Sequence, residues 1–224
     1  MKTILSLGAY LVLGTAAIQA SPSVILFDNN IDPFRTYGYT YADTTNPYQQ
    51  EAGSIFTPAA SGSADHIIFN GAYLSSDPFP SDSFIGTLYQ ASSGASLPNP
   101  MVVLGTSHLS VTRVSQGFII GGYEIFRYEG DIDIPFTVYT GNNYYLGISD
   151  TTTPGVSFGL ALNTSATAKF NVVKSGSDYS VYPNDVGSSF QISGPSAVPE
   201  PSTWAVGLVC FVGVLGLGLY RQVA

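Results

Sequence analysis

Cysteine is almost absent from this sequence: Cys210 is the single one in 224 residues, so no disulfide can form within the chain. A lone thiol also excludes a thiolate metal cluster. Cys210 lies inside a C-terminal apolar run, where it serves as one more small apolar residue. Histidine is nearly as scarce. His66 and His108 stand far apart, without the H-x-x-x-H spacing that brings two imidazoles onto one helix face, so zinc chemistry lacks its ligands. Charged side chains make up only 10% of the chain, too few for the solvated faces of a helical enzyme. With Lys2, Arg221 and Glu200 of the two ends set aside, five basic residues face fourteen acidic ones, a balance of −9. That excess repels a phosphate backbone, and no basic stripe offsets it, so nucleic-acid binding is excluded as a reading.

Missing too is any sustained i, i+3, i+4 apolar pattern between residues 21 and 196. Present instead are short alternating or apolar runs separated by Gly, Pro, Ser, Asn and Asp clusters. "SVILFD" opens the series; "GSIFTP", "HIIFNGAYL", "FIGTLYQ", "MVVLG" and "LSVTRV" follow, then "GYEIFRYEGDI", "PFTVYT", "NYYLGIS", "SFGLAL", "KFNVV" and "SFQIS". Roughly ten to twelve strands without crossover helices predict an all-β, antiparallel β-sandwich of jelly-roll type. In "YEIFRYEG", Tyr123, Ile125 and Arg127 share one face and Glu124, Phe126 and Tyr128 the other. Aromatic residues on both faces predict a strand that is covered twice or placed at a partner surface. No internal repeat of solenoid length occurs.

The chemistry on offer is sparse. "GVSFG" (Gly155–Gly159) matches the G-x-S-x-G elbow of α/β-hydrolases, but both histidines precede Ser157 and no helix follows it. The segment reads as a strand start. Among ions, calcium suits the hard oxygens best, and Asp77, Asp82, Asp131, Asp133 and Asp150 fall in loops or at strand ends. Asp131 and Asp133 stand at i, i+2, on one side of an extended strand, and are the candidate pair; the plain alternative is acids that keep the surface soluble. Fifteen tyrosines include the alternating Tyr37, Tyr39 and Tyr41, a candidate platform for stacking on sugar rings or, alternatively, a cover for the core edge.

Both ends read as sorting signals. Residues 1–20 carry one positive charge at Lys2, an apolar stretch and small residues up to Ala20, the pattern of a secretory signal peptide cleaved after Ala20, or else after Ala17. A Pro/Ser linker, "SGPSAVPEPS", then leads from the domain of residues 21–196 into the segment 197–224. From Trp204 to Tyr220 there is no charge, and seventeen residues in a helix span about 26 Å, which just crosses a hydrocarbon core. Trp204 and Tyr220 bracket this run as interfacial aromatics, and Arg221 supplies the cytoplasmic flank.

The order Val198-Pro199-Glu200-Pro201, apolar helix, basic end resembles the PEP-CTERM sorting signal of Gram-negative bacteria. That resemblance implies recognition by exosortase, a membrane-embedded cysteine transpeptidase, close to Pro199–Pro201. An inner-membrane intermediate would then give way to a protein at the cell surface or outside the cell, among extracellular polysaccharide. The basic cluster of that signal is reduced here to Arg221. The middle of the chain is similar to a β-sandwich domain of exported bacterial proteins carrying such tails. The similarity runs through "ADHIIFNGAYL", "DSFIGTLYQASSGASLP", "GGYEIFRYEGDI", "IPFTVYTGNNYYLGISD" and "SFGLAL", with Tyr144-Tyr145 where those proteins have Tyr-Trp. The functional expectation is a non-enzymatic structural or adhesive surface protein in contact with exopolysaccharide. The alternatives are a secreted carbohydrate-active hydrolase and a permanently anchored single-pass protein.

Overall fold

Thirteen strands account for most of the computed structural model, which describes residues 23–32, 36–42, 50–74, 81–92, 102–151, 157–166, 170–175, 178–183 and 186–195. They are β1 (Ser23–Asp28), β2 (Thr36–Tyr41), β3 (Gln50–Phe56), β4 (Gly62–Tyr73), β5 (Phe84–Ala91), β6 (Val102–Ile120) and β7 (Tyr123–Val138). Then follow β8 (Asn143–Asp150), β9 (Phe158–Asn163), β10 (Phe170–Ser175), β11 (Asp178–Pro183), β12 (Gly187–Ser188) and β13 (Phe190–Pro195). Every described pairing is antiparallel, and the order along the sheet is β1-β13-β4-β7-β6-β5-β8-β3-β10-β11. β9 branches off, pairing with the far end of β4, with β2 and with β12. The expected all-β, antiparallel class is therefore present, and β8 runs on to Asp150, at its end.

The sheet is curled like a half-barrel, and its aromatic rings show which strands face each other. Phe27 of β1 meets Phe56 of β3 at 4.7 Å between centroids, and Phe56 meets Phe190 of β13 at 5.8 Å. Phe69 of β4 stands edge-on to Phe84 of β5 at 5.2 Å and lies stacked on Tyr128 of β7 at 4.9 Å. Strands β1, β13, β4 and β7 thus look across one core at β3, β8 and β5. Rings of this size dominate core burial, and offset or edge-on pairs add about 0.5–1.5 kcal/mol each beyond the area removed from water.

Local chemistry explains the longest excursion. β6 and β7 are joined by Gly121-Gly122 alone, both at positive φ (61° and 91°), the backbone that a two-residue hairpin turn requires and that glycine adopts without strain. On β7 the double cover expected from sequence is found: Ile125 is buried on one face, Phe126 and Tyr128 on the other.

Candidate functional site

The β6–β7 ladder does not run the length of its strands. It closes from Ile120↔Tyr123 down to Leu109↔Ile132 and then opens. Just below, the Ile134 N–H donates to Ser107 Oγ at 2.7 Å, where a regular ladder would offer a backbone carbonyl. From there β6 stays with β5, through Gln90↔Val102, while β7 stays with β4, through Phe136↔Ala64 and Val138↔Gly62. The Phe136 ring wedges the fork: a Cβ on Gly105 of β6 would come within 3.3 Å of it.

The fork opens into a groove of about 430 Å³. Gln90, Ala91 and Leu104 come from the β5–β6 wall, Thr137 and Tyr139 from the β7 side, and the turn and first residues of β8 contribute Gly141, Asn142, Asn143 and Tyr144. Gly141, at φ 81°, lets the turn reverse, and the Asn142 N–H closes it on the Tyr139 carbonyl at 3.3 Å. Ser61 braces the same turn by accepting the Thr140 N–H at 2.9 Å.

Within the groove the polar atoms are held in fixed roles. The buried Tyr144 phenol accepts the Tyr139 N–H at 3.0 Å and an Asn142 Nδ2–H at 3.4 Å. Asn143 Oδ1 accepts from Thr57 Oγ1 at 2.6 Å, which orients its amide. Tyr139 is 56% exposed, with its ring at the rim. Among the described residues, the lining holds no carboxylate, ammonium, guanidinium or imidazole.

A second polar cluster sits where β4 ends and β5 begins. Asp82 Oδ1 pairs with Arg113 at 3.2 Å and accepts from the Tyr73 hydroxyl at 2.8 Å. The guanidinium lies over the rings of Tyr73 and Phe126, at 5.5 and 5.0 Å from their centroids. Next to the Arg113 guanidinium lies the buried Tyr128 hydroxyl. Burial, then the neighbouring Tyr73 and Asp82, push the Tyr128 phenol far above its ordinary value, an effect Arg113 only partly offsets. On the other face of the β5–β8–β3 sheet, Tyr89 and Tyr145 stack at 5.4 Å, and Tyr89 donates to Glu51 at 3.2 Å. Burial, then the Glu51 carboxylate, raise both phenols.

The residues singled out from sequence are scattered. Tyr39 and Tyr41 take ladder positions opposite Ala161 and Gly159, but the register slips between Thr36 and Gly38. Tyr37 falls in that slip, and the side chains of all three lie outside the described residues. Asp131 and Asp133 share a side of β7, as expected, yet turn to different partners. Asp131 lies 3.3 Å from His66 Nδ1, whereas Asp133 lies 3.4 Å from His108 Nδ1 and accepts from Ser110 at 2.7 Å. Among the described residues, no group of three or more His, Cys, Asp or Glu gathers as a metal site. Ser157 sits just before β9, its carbonyl accepting the Leu74 N–H at 2.7 Å, and both histidines are engaged by β7 carboxylates. Asp82 and Asp150 are at the ends of β5 and β8, and Asp77 is outside the described residues.

Val198, Pro199, Glu200, Pro201, Trp204, Tyr220 and Arg221, with the whole N-terminal signal, lie outside the described residues. Among the described residues, no helix is long and apolar enough to cross a membrane. No protein-family model, curated protein or solved structure matches the chain.

The groove escaped the sequence reading because its walls come from four strands and one turn. A local trace exists in "YTGNNYY", where two amides sit between tyrosines in a turn (Tyr139–Tyr145).

Proposed function

We propose that this is an exported protein, sorted at its C-terminus by exosortase, with a structural or adhesive role among extracellular polysaccharide. The observation that carries the adhesive part is the uncharged groove: amides, hydroxyls and one exposed aromatic ring, the equipment for holding a polyol. Glycoside hydrolysis, the competing reading, asks for two carboxylates about 5–10 Å apart across the bond to be cut. The described lining of the groove supplies none, which favours binding over hydrolysis.

We read the architecture as a jelly-roll sandwich. Support comes from strand order: β1-β13-β4-β7 on one side and β3-β8-β5-β6 on the other follow the two four-stranded sheets of that fold. Such a domain displays loops and grooves on a rigid body, as an adhesive surface protein requires.

The sorting part rests on the ordered Pro199-Glu200-Pro201, apolar run and Arg221. It is tested by the mass of the mature protein recovered from the envelope and the medium. We expect a C-terminus near Pro199–Pro201, lacking the stretch from Trp204 onward, and an N-terminus at Ser21. A mature chain that still ends in Ala224 overturns sorting and leaves a permanent anchor.

A further inference from the structure

We propose that the groove at the β6–β7 fork is a binding subsite for an uncharged, hydroxyl-rich glycan chain. The inference rests on the polysaccharide reading above and gives it a place and a ligand class different from the Tyr37, Tyr39 and Tyr41 platform.

The argument begins with one proton. The oxygen of Tyr144 already accepts two hydrogen bonds, from the Tyr139 N–H and from Asn142, so both of its acceptor directions are spoken for. Its own O–H therefore remains to donate. Among the described residues no hydrogen bond uses it, and Tyr144 is only 3% exposed while lining the groove. A buried phenol held this way wants an acceptor from outside the protein, since an unmet donor costs about 1–3 kcal/mol. Asn143 is similar: Thr57 fixes its Oδ1 and so orients the amide, and among the described residues no hydrogen bond uses its Nδ2 hydrogens. Two oriented donors at the floor match the hydroxyl, ring and glycosidic oxygens of a sugar.

The walls complete the fit. Thr137 and Gln90 are exposed groups that can donate and accept, as the hydroxyls of a sugar do. The Tyr139 ring at the rim offers the flat apolar surface on which the C–H face of a pyranose stacks. The volume of about 430 Å³ falls in the usual range for small-molecule sites, about 300–1,000 Å³.

Charge decides the class. Among the described residues no cation lines the groove, so a uronate, sulfate or phosphate would find no partner among them, towards a chain of net charge −8. No anion lines it either, so an amino sugar gains no specific contact there. A neutral glycan loses nothing on either count.

The test compares retention and affinity on neutral dextran, laminarin and galactomannan, on a polyuronate, and on chitosan oligomers. The protein is the secreted full domain, read by affinity electrophoresis and calorimetry at low and high salt. At least one neutral glycan is expected to bind, with little change between the two salt concentrations, because no ion pair is involved. Tyr139→Ala, at an exposed position, is expected to weaken binding about tenfold, the loss of about 1.4 kcal/mol of stacking. Tyr144→Phe keeps the ring and is expected to cost about fivefold through the missing donor. An unchanged thermal midpoint for Tyr139→Ala, and a native circular dichroism spectrum for Tyr144→Phe, whose midpoint falls because the Tyr139 N–H and Asn142 lose their acceptor, separate these losses from misfolding. If a neutral glycan binds but neither variant weakens it, the fork is not the subsite and the polysaccharide reading survives. Salt-sensitive binding of the polyuronate or chitosan alone, or binding to none of the polymers, overturns the proposal.

Discussion

Raising the pH above about 10 is expected to unfold this protein cooperatively, with its most buried tyrosines ionising in the same step. Tyr128 and Tyr145 are fully buried, and both phenols are pushed far above the ordinary value, chiefly because the charged form would lose its hydration. Glu51 adds its repulsion at Tyr145, and at the less deeply enclosed Tyr89. A raised value in the folded state means that the neutral phenol is favoured there. The stabilisation is complete below the unfolded value of about 10 and is lost as pH climbs from there towards the folded values. Each group that stays neutral when folded but ionises when unfolded removes about 1.4 kcal/mol per pH unit, so Tyr128 and Tyr145 together remove about 3. Tyr89 adds a smaller share. A stability at the low end of the usual ~5–15 kcal/mol is then exhausted about two pH units above that point. Circular dichroism and tyrosinate absorbance, followed in one alkaline titration, check this. The expected record is a late absorbance step that coincides with loss of sheet signal. Tyr145→Phe should move that step to higher pH. Smooth ionisation of all fifteen tyrosines near pH 10, with the sheet intact, is the opposing result.

That the chain folds into antiparallel strands was readable from short-range pattern alone, because alternation and turn chemistry are local. "IIGGYE" specifies its hairpin by the two glycines that alone suit that turn. Partners across the ladder were not readable. Asp65 follows the chain next to His66, but adjacent strand residues point to opposite faces. His66 instead meets Glu129 and Asp131, because Asp131 stands directly opposite it on β7. The register slip between Thr36 and Gly38, beside Tyr37, was not readable either, because it depends on β9 as the partner strand. The groove depends on a more distant event, the exchange of a backbone acceptor for Ser107 Oγ where β7 leaves β6. Nothing in "LGTSHLS" marks Ser107 as the residue that ends a ladder.

Gly53→Ala is expected to be among the most damaging single methyl additions this protein can receive. Gly53 of β3 stands opposite Gly147 of β8 and Val172 of β10, so its backbone is paired on both sides. A Cβ there would come within 1.7 Å of the Leu146 carbonyl oxygen and 2.8 Å of its carbon, with the buried Tyr145 ring 2.9 Å away. The obstacle is backbone, so no rotamer change relieves it; β3 and β8 must separate. Overpacking in a core costs about 1–3 kcal/mol, and a clash with a paired backbone belongs at or beyond the upper end of that range. At Gly147 a Cβ would meet the buried Glu51 side chain instead, within 2.2 Å of Oε1. Gly38→Ala is the matched control: among the described residues no atom lies within 4 Å of its Cβ position, and a small gain through the unfolded chain is expected, at most about 1 kcal/mol. Urea midpoints of the three proteins check the order, and a Gly53→Ala variant as stable as Gly38→Ala would refute the β3–β8 pairing itself. The consequence extends to function, because the same ladder continues through Phe56↔Tyr144. The strand that carries the phenol at the groove floor is held by the pairing that Gly53 permits. Any folded Gly53→Ala protein should therefore bind neutral glycan more weakly, although Gly53 itself is not among the groove residues.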